Sequence, residues 1–147
     1  MDKIISLYTR LHCSVHDAFE KFTVDTALES WLTQVADVEP VVGGKYELFW
    51  NPADRENNST IGCKITALEK DKFLSFEWRS PEQFKHFANQ VDPLTHVVVF
   101  FIPDGKWTEV RLIHTGWRST PEWQEACQWQ EKAWQMAFGE LEKQINF

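Results

Sequence analysis

Along "WTEVRLIHT", residues 107–115, apolar and polar positions alternate. The alternation puts Thr108, Val110, Leu112 and His114 on one face of a strand and Glu109, Arg111 and Ile113 on the other. The first set is the more apolar and is the face expected to look inward. The same period of two runs through "KYELFW", with Tyr46, Leu48 and Trp50 on one face, and through "FLSFEWR", with Leu74, Phe76 and Trp78 together. "IGCKITAL" and "HVVVFFIP" complete a run of about five strands, and the tight turn "DGK" joins the last two. "IISLYTRLHCS", residues 4–14, predicts a strand ahead of them. Gly43-Gly44 marks a turn or bulge, 51–60 is a polar turn, and 80–95 is a long connection for a hairpin.

Helical spacing appears on either side of that run. Val15, Phe19 and Phe22 recur on one face, and Ser14 with Asp17 three residues later resembles a capping box. Residues 25–33 predict a second short helix with Asp25 as N-cap. Thr120 as cap and Pro121 at the first helical position start one long helix that runs to residue 147. Two stripes lie on it. Trp123, Cys127, Trp134, Phe138, Leu141 and Ile145 form the first, expected to face the sheet. Ala126, Trp129, Ala133 and Met136 form a narrower second one. Trp129 and Trp134 therefore point about 140° apart, and each needs its own cover. For Trp129 and Met136 that cover is either the chain's own first strand or 80–95 connection, or a second copy in a homodimer.

Strands grouped between helices argue an α+β fold: a curved antiparallel sheet wrapped around a long C-terminal helix, with two short helices after the first strand. Residues 1–147 fit a single domain. Such a sheet and helix can leave a hollow between them.

Composition narrows the function classes. A net charge of −7 repels phosphate backbones, so nucleic acid is excluded as a partner. No apolar run is long enough for a membrane span, and "MDKIISLYTR" lacks the apolar core of a signal peptide. Three scattered cysteines, Cys13, Cys63 and Cys127, read as reduced thiols and point to the cytoplasm. The five histidines and three cysteines show no metal-ligand spacing, so neither metal nor other cofactor is expected. No nucleophile elbow is present. Eight Trp and eleven Phe suit either a wide core or a wall around something greasy.

The order of these segments resembles the START-like (SRPBCC) helix-grip superfamily, and within it the Hsp90-ATPase-activator homology group, a polyketide-cyclase type of domain. The resemblance is carried by "AFEKFTVDTALESWL", "VVGGKYELFW", "IGCKI", "FLSFEW", "VRLIHTGW" and the last helix with Trp134 and Leu141. It covers nearly the whole chain. The resemblance implies binding of a small hydrophobic molecule, ring-closing chemistry in the same cavity, or a chaperone-type protein interaction. The 80–95 connection is longer than the family's compact pattern.

The expected pocket lies between the last helix and the sheet. Its candidate walls are Trp31, Tyr46, Trp50, Trp78, Val110, Leu112 and Trp134, each with plain core as the alternative. His114 is either a polar group at the pocket mouth that orients a ligand, or a buried histidine satisfied by neighbours. Phe84 and Phe87 are either a lid over the mouth or a cover for core. Glu47 and Glu77 fall on the face away from the pocket, so no catalytic residue is assigned and enzyme activity stays open.

Overall fold

The computed structural model describes residues 3–147. Seven strands and four α-helices follow in the order β1 (Ile5–Leu11), α1 (Val15–Thr23), α2 (Asp25–Glu29), β2 (Val35–Val38), β3 (Tyr46–Phe49), β4 (Ile65–Glu69), β5 (Phe73–Trp78), α3 (Lys85–Ala88), β6 (Thr95–Asp104), β7 (Trp107–Thr115) and α4 (Pro121–Ile145). A 3-10 turn, Glu82–Phe84, leads into α3. The fold is the expected α+β helix-grip.

All pairings are antiparallel. The main sheet runs β1-β7-β6-β5-β4, and β2 pairs with β3 in a separate ribbon. Backbone bonds stitch the ribbon to the free edge of β4: Tyr46 N–H donates to Cys63 O at 2.9 Å and Ile65 N–H to Gly44 O at 2.9 Å. This edge strand is therefore covered rather than exposed. Gly44 sits where an added Cβ would lie 2.3 Å from the carbonyl oxygen of Glu39, so only glycine lets the chain fold back here.

The helix signals act as read at two of three starts. Ser14 Oγ accepts from Asp17 N–H at 3.1 Å, and Thr120 Oγ1 accepts from Trp123 N–H at 3.4 Å with Pro121 following. Asp25 is not a cap. It is the first residue of α2, and its carboxylate reaches across to accept from Val38 N–H at 2.9 Å. Glu29 does the same for Ala36 N–H at 3.0 Å. These two acids pin β2, a strand the sequence reading missed, because "VADV" is short and shows little alternation.

The core lies between the concave sheet face and α4. Leu74, Phe76, Val97, Val99, Val110 and Leu112 point into it from the sheet. Phe19 and Phe22 of α1 and Trp123, Trp134, Phe138 and Leu141 of α4 close over them. Each such side chain contributes about 1.5–3 kcal/mol by leaving water. The buried stripe of α4 also takes in Ala126, expected on the second stripe, and the polar Gln130. An added Cβ at Gly139, near the end of α4, would meet nothing within 4 Å, so no close packing requires the glycine.

Candidate functional site

One end of the grip is not filled. A cavity of about 380 Å³ opens between the middle of α4, the end of β5 and the loop after β3. That volume falls in the range of small-molecule sites, roughly 300–1,000 Å³. Its apolar walls are Trp50, Trp78, Trp129 and Trp134, with Leu32 from the segment after α2 and the small residues Ala133 and Ala137 on α4. Its polar lining is Asn51, Asn58, Ser59, Arg79 and Gln130, and Pro81 completes the rim.

Local geometry explains why these side chains meet. Trp78 is the last residue of β5 and points inward, and the chain turns immediately after it, so Arg79 reaches the same space. Trp78 and Trp134 lie 4.9 Å apart by ring centroids, and Trp50 meets Trp78 edge-on at 5.8 Å. Ala133 and Ala137 are four residues apart and therefore stack on one helix face. Their lack of bulk leaves the hollow open.

The donors of the inner tryptophans are already spent. Trp50 Nε1 donates to Leu32 O at 2.8 Å, Trp78 Nε1 to Gln130 Oε1 at 3.2 Å, and Trp134 Nε1 to His114 Nδ1 at 3.1 Å. The second bond accounts for Gln130 on an apolar stripe: it satisfies a buried indole.

Of the seven candidate walls and His114, eight residues in all, three line the cavity: Trp50, Trp78 and Trp134. Trp50 does so from just beyond β3 and stays 40% exposed at the rim, not inside the strand as its alternation implied. The other five are core. Trp31 packs edge-on against Phe22 at 5.0 Å and donates to Lys21 O at 2.8 Å. Tyr46 stacks on Phe76 at 3.8 Å and donates its hydroxyl to Phe22 O at 2.7 Å. Val110 and Leu112 are sealed in mid-sheet beneath α1 and α4. Alternation identified the concave face correctly; where that face stays unfilled depends on the bulk of Phe19, Phe22 and Phe101 packed over its other end.

His114 is not at a mouth. It is fully buried, and both ring nitrogens are engaged. The indole of Trp134 can only donate, so Nδ1 accepts; the proton then sits on Nε2 and donates to Thr95 Oγ1 at 3.0 Å. Burial, with His96 nearby, pushes its pKa down to about 3, so the ring is neutral. Its role is to orient Trp134, which does line the cavity.

Phe84 and Phe87 are not a lid. Phe84 meets Trp129 edge-on at 6.1 Å and Phe87 meets Trp123 at 5.2 Å, so the pair braces the first half of α4. Neither lines the cavity. Trp129 takes part of its cover from Phe84 and turns the rest to the cavity, remaining 42% exposed. Met136 is 75% exposed.

Arg79, Asn51, Asn58, Gln130 and the two alanines were missed in the sequence. Gln130 was legible as a polar residue within the stripe of Cys127 and Trp134. Arg79 was legible as the lone cation that ends an apolar strand before Pro81. The asparagines sit in a polar loop and carried no such signal. Among the described residues, no group of three or more His, Cys, Asp or Glu gathers around a metal-sized space.

Comparison with known proteins fits this architecture. Residues 12–146 match the family described as Activator of Hsp90 ATPase homolog 1-like protein. The chain belongs to that family. Among solved structures, protein MLL2253 from Mesorhizobium loti superposes with a TM-score of 0.75 at 20% identity, covering 96% of this chain and 95% of that one. The Aha1 dimer from Colwellia psychrerythraea gives 0.71 at 19% identity, with 97% and 96% covered. PFC0360w, an HSP90 activator from Plasmodium falciparum, gives 0.71 at 20% identity, with 95% and 93% covered. At these identities the likeness establishes the fold. No curated protein matches the sequence. No helix among the described residues is long and apolar enough to cross a membrane.

Proposed function

We propose that this member of the family, acting as one domain, binds a small hydrophobic or amphipathic molecule between α4 and the sheet. The observation that carries the reading is the tryptophan-walled cavity of about 380 Å³. An indole wall gives large apolar area with little loss of side-chain freedom on binding. The acid–base alternative finds less support, because no Asp, Glu or His among the described residues lines the space and His114 is neutral with both nitrogens occupied. Recognition of a chaperone, as the Plasmodium relative's description suggests for that protein, requires no cavity. Three free cysteines, two of them buried, fit a reducing cytoplasm.

Ala133→Trp should test the reading. Ala133 is half-buried on α4 and lines the cavity, so the larger side chain can grow into the hollow rather than into the core. Binding of the neutral fluorescent probe phenylnaphthylamine should fall at least about tenfold while the melting temperature holds. Unchanged binding in a folded variant would place the probe elsewhere and end this reading.

A homodimer remains a separate proposal for the outer side of α4. It rests on Met136, an apolar side chain 75% exposed on α4, and a relative from Colwellia is described as a dimer. Sedimentation of wild type against Met136→Lys at micromolar concentration checks it. The expected result is a dimer for wild type and a monomer for the variant; two identical monomers would reject it.

A further inference from the structure

Three amide side chains around the cavity, Asn51, Asn58 and Gln130, share one property. Where they make hydrogen bonds, they use their acceptors on the protein and keep their donors. Asn58 Oδ1 accepts from Glu82 N–H at 2.9 Å, and Asn51 Oδ1 accepts from Ala53 N–H at 3.3 Å. Gln130 Oε1 accepts from Trp78, which fixes its amide orientation and leaves the Nε2 hydrogens unpaired among the described residues. Both asparagine amide nitrogens are likewise without a partner there. Ser59 differs, since its hydroxyl donates to Arg55 O at 2.6 Å.

Arg79 adds charge to this set. Among the described residues it is the only charged one in the lining, and none of their ion pairs includes it. Its Nε is buried with no hydrogen-bond partner, the only such buried side-chain atom among the described residues. The guanidinium lies beside the Cys63 thiol, but burial pushes that thiol up to about 12, so it is neutral and cannot act as counterion. No carboxylate makes an ion pair with the guanidinium among the described residues: Glu47 accepts from Gly62 N–H at 2.9 Å and Glu77 from Lys64 N–H at 3.0 Å. A cation lining a mostly apolar pocket that also carries unused donors, with no carboxylate in contact, can take an acceptor with negative charge.

We infer that the cavity selects an anionic amphiphile: an apolar body, held among the indoles, that carries a carboxylate or comparable oxyanion held by Arg79 and the free amides. This rests on the ligand-binding reading above and narrows it to a chemical class. A guanidinium suits the task because its planar donors match an oxyanion in pairs. The chain's net charge of −7 works against anions in general, so any preference for them must come from a local site.

Two probes with the same aromatic body separate the terms. Anilinonaphthalene sulfonate differs from phenylnaphthylamine by one sulfonate. Wild type should bind the sulfonate about tenfold more tightly than the neutral probe. Arg79→Gln should abolish that preference, read as the ratio of the two affinities in the same variant, and Arg79→Lys should retain part of it. A preference that survives Arg79→Gln overturns the inference, as does equal binding of both probes by wild type; the latter leaves the cavity reading standing. Failure of both probes to bind wild type sinks both. Should Arg79→Gln not fold, displacement of the neutral probe from wild type decides: decanoate must compete better than decanol, and the reverse order rejects the inference.

Discussion

Trp134→Ala is expected to cost about 3–5 kcal/mol of unfolding free energy, the range for removing a large aromatic from a packed core. Trp134 is 1% exposed, touches Trp78 and Phe138, and supplies the only donor to His114 Nδ1. Truncation therefore removes apolar burial and also leaves a buried acceptor unpaired, which adds to the cost. A domain of ordinary stability has only about 5–15 kcal/mol in total, so the variant should sit near its unfolding threshold. Urea titration measures it. Trp134→Phe should recover much of the loss, since it restores most of the ring and forfeits only the indole bond. A Trp134→Ala cost below about 1 kcal/mol would show that this end of the grip is not a packed core. In whatever fraction stays folded, the cavity widens, and probe affinity should change with it.

The second large effect is a pH dependence. His114 has a folded-state pKa near 3 against an ordinary 6.5. Between those values the unfolded chain holds a proton that the folded one refuses, so stability rises with pH there. The contribution is level above about pH 6.5 and is lost progressively as pH falls toward 3. Burial is the main cause. The bonding adds a second reason: a proton on Nδ1 would face the Trp134 N–H, donor against donor. The loss from pH 6.5 to 4.5 should be about 2 kcal/mol from this residue. His96, partly buried, is shifted in the same direction, so the clean measurement is a difference. Urea unfolding of wild type and His114→Gln across this window should show a shallower slope in the variant, which keeps a donor and an acceptor but cannot titrate. Parallel slopes would mean that His114 takes up its proton in the folded state.

Much of this fold was legible because its signals are local. Ser14 and Thr120 cap helices through bonds to residues three positions away, and alternation in "WTEVRLIHT" sorts side chains without knowledge of any partner strand. The errors share the opposite property. Asp25 looked like a cap because its chemistry suits one, yet its carboxylate binds Val38 across a turn. Tyr46 and Trp50 share a strand face by parity, but the first is locked under Phe76 and Phe22 while the second leaves the strand and reaches the rim. The cavity is a difference between the volume enclosed and the volume filled, summed over segments far apart in the chain. Period two cannot contain that information. Arg79 shows the limit from another side: its residue type was plain, but that it forms no ion pair emerges only when the described residues are brought together.

The pairing of β1 with β7 sets Ile5 opposite His114 and Leu11 opposite Thr108, so the two strands that meet are separated by most of the chain. The end of α4 then fastens β1 again, with Asn146 Oδ1 accepting from His12 N–H at 2.9 Å and Asn146 Nδ2 donating to Arg10 O at 2.9 Å. During synthesis the first strand thus emerges long before either of its partners. The meander from β4 to β7 can assemble from near neighbours, but β1 has nothing to pair with until residues 108–115 have left the ribosome, and no fastening until Asn146 has. Closure over so long a loop costs chain entropy before any contact rewards it, and makes β1 the last strand of the sheet to be secured.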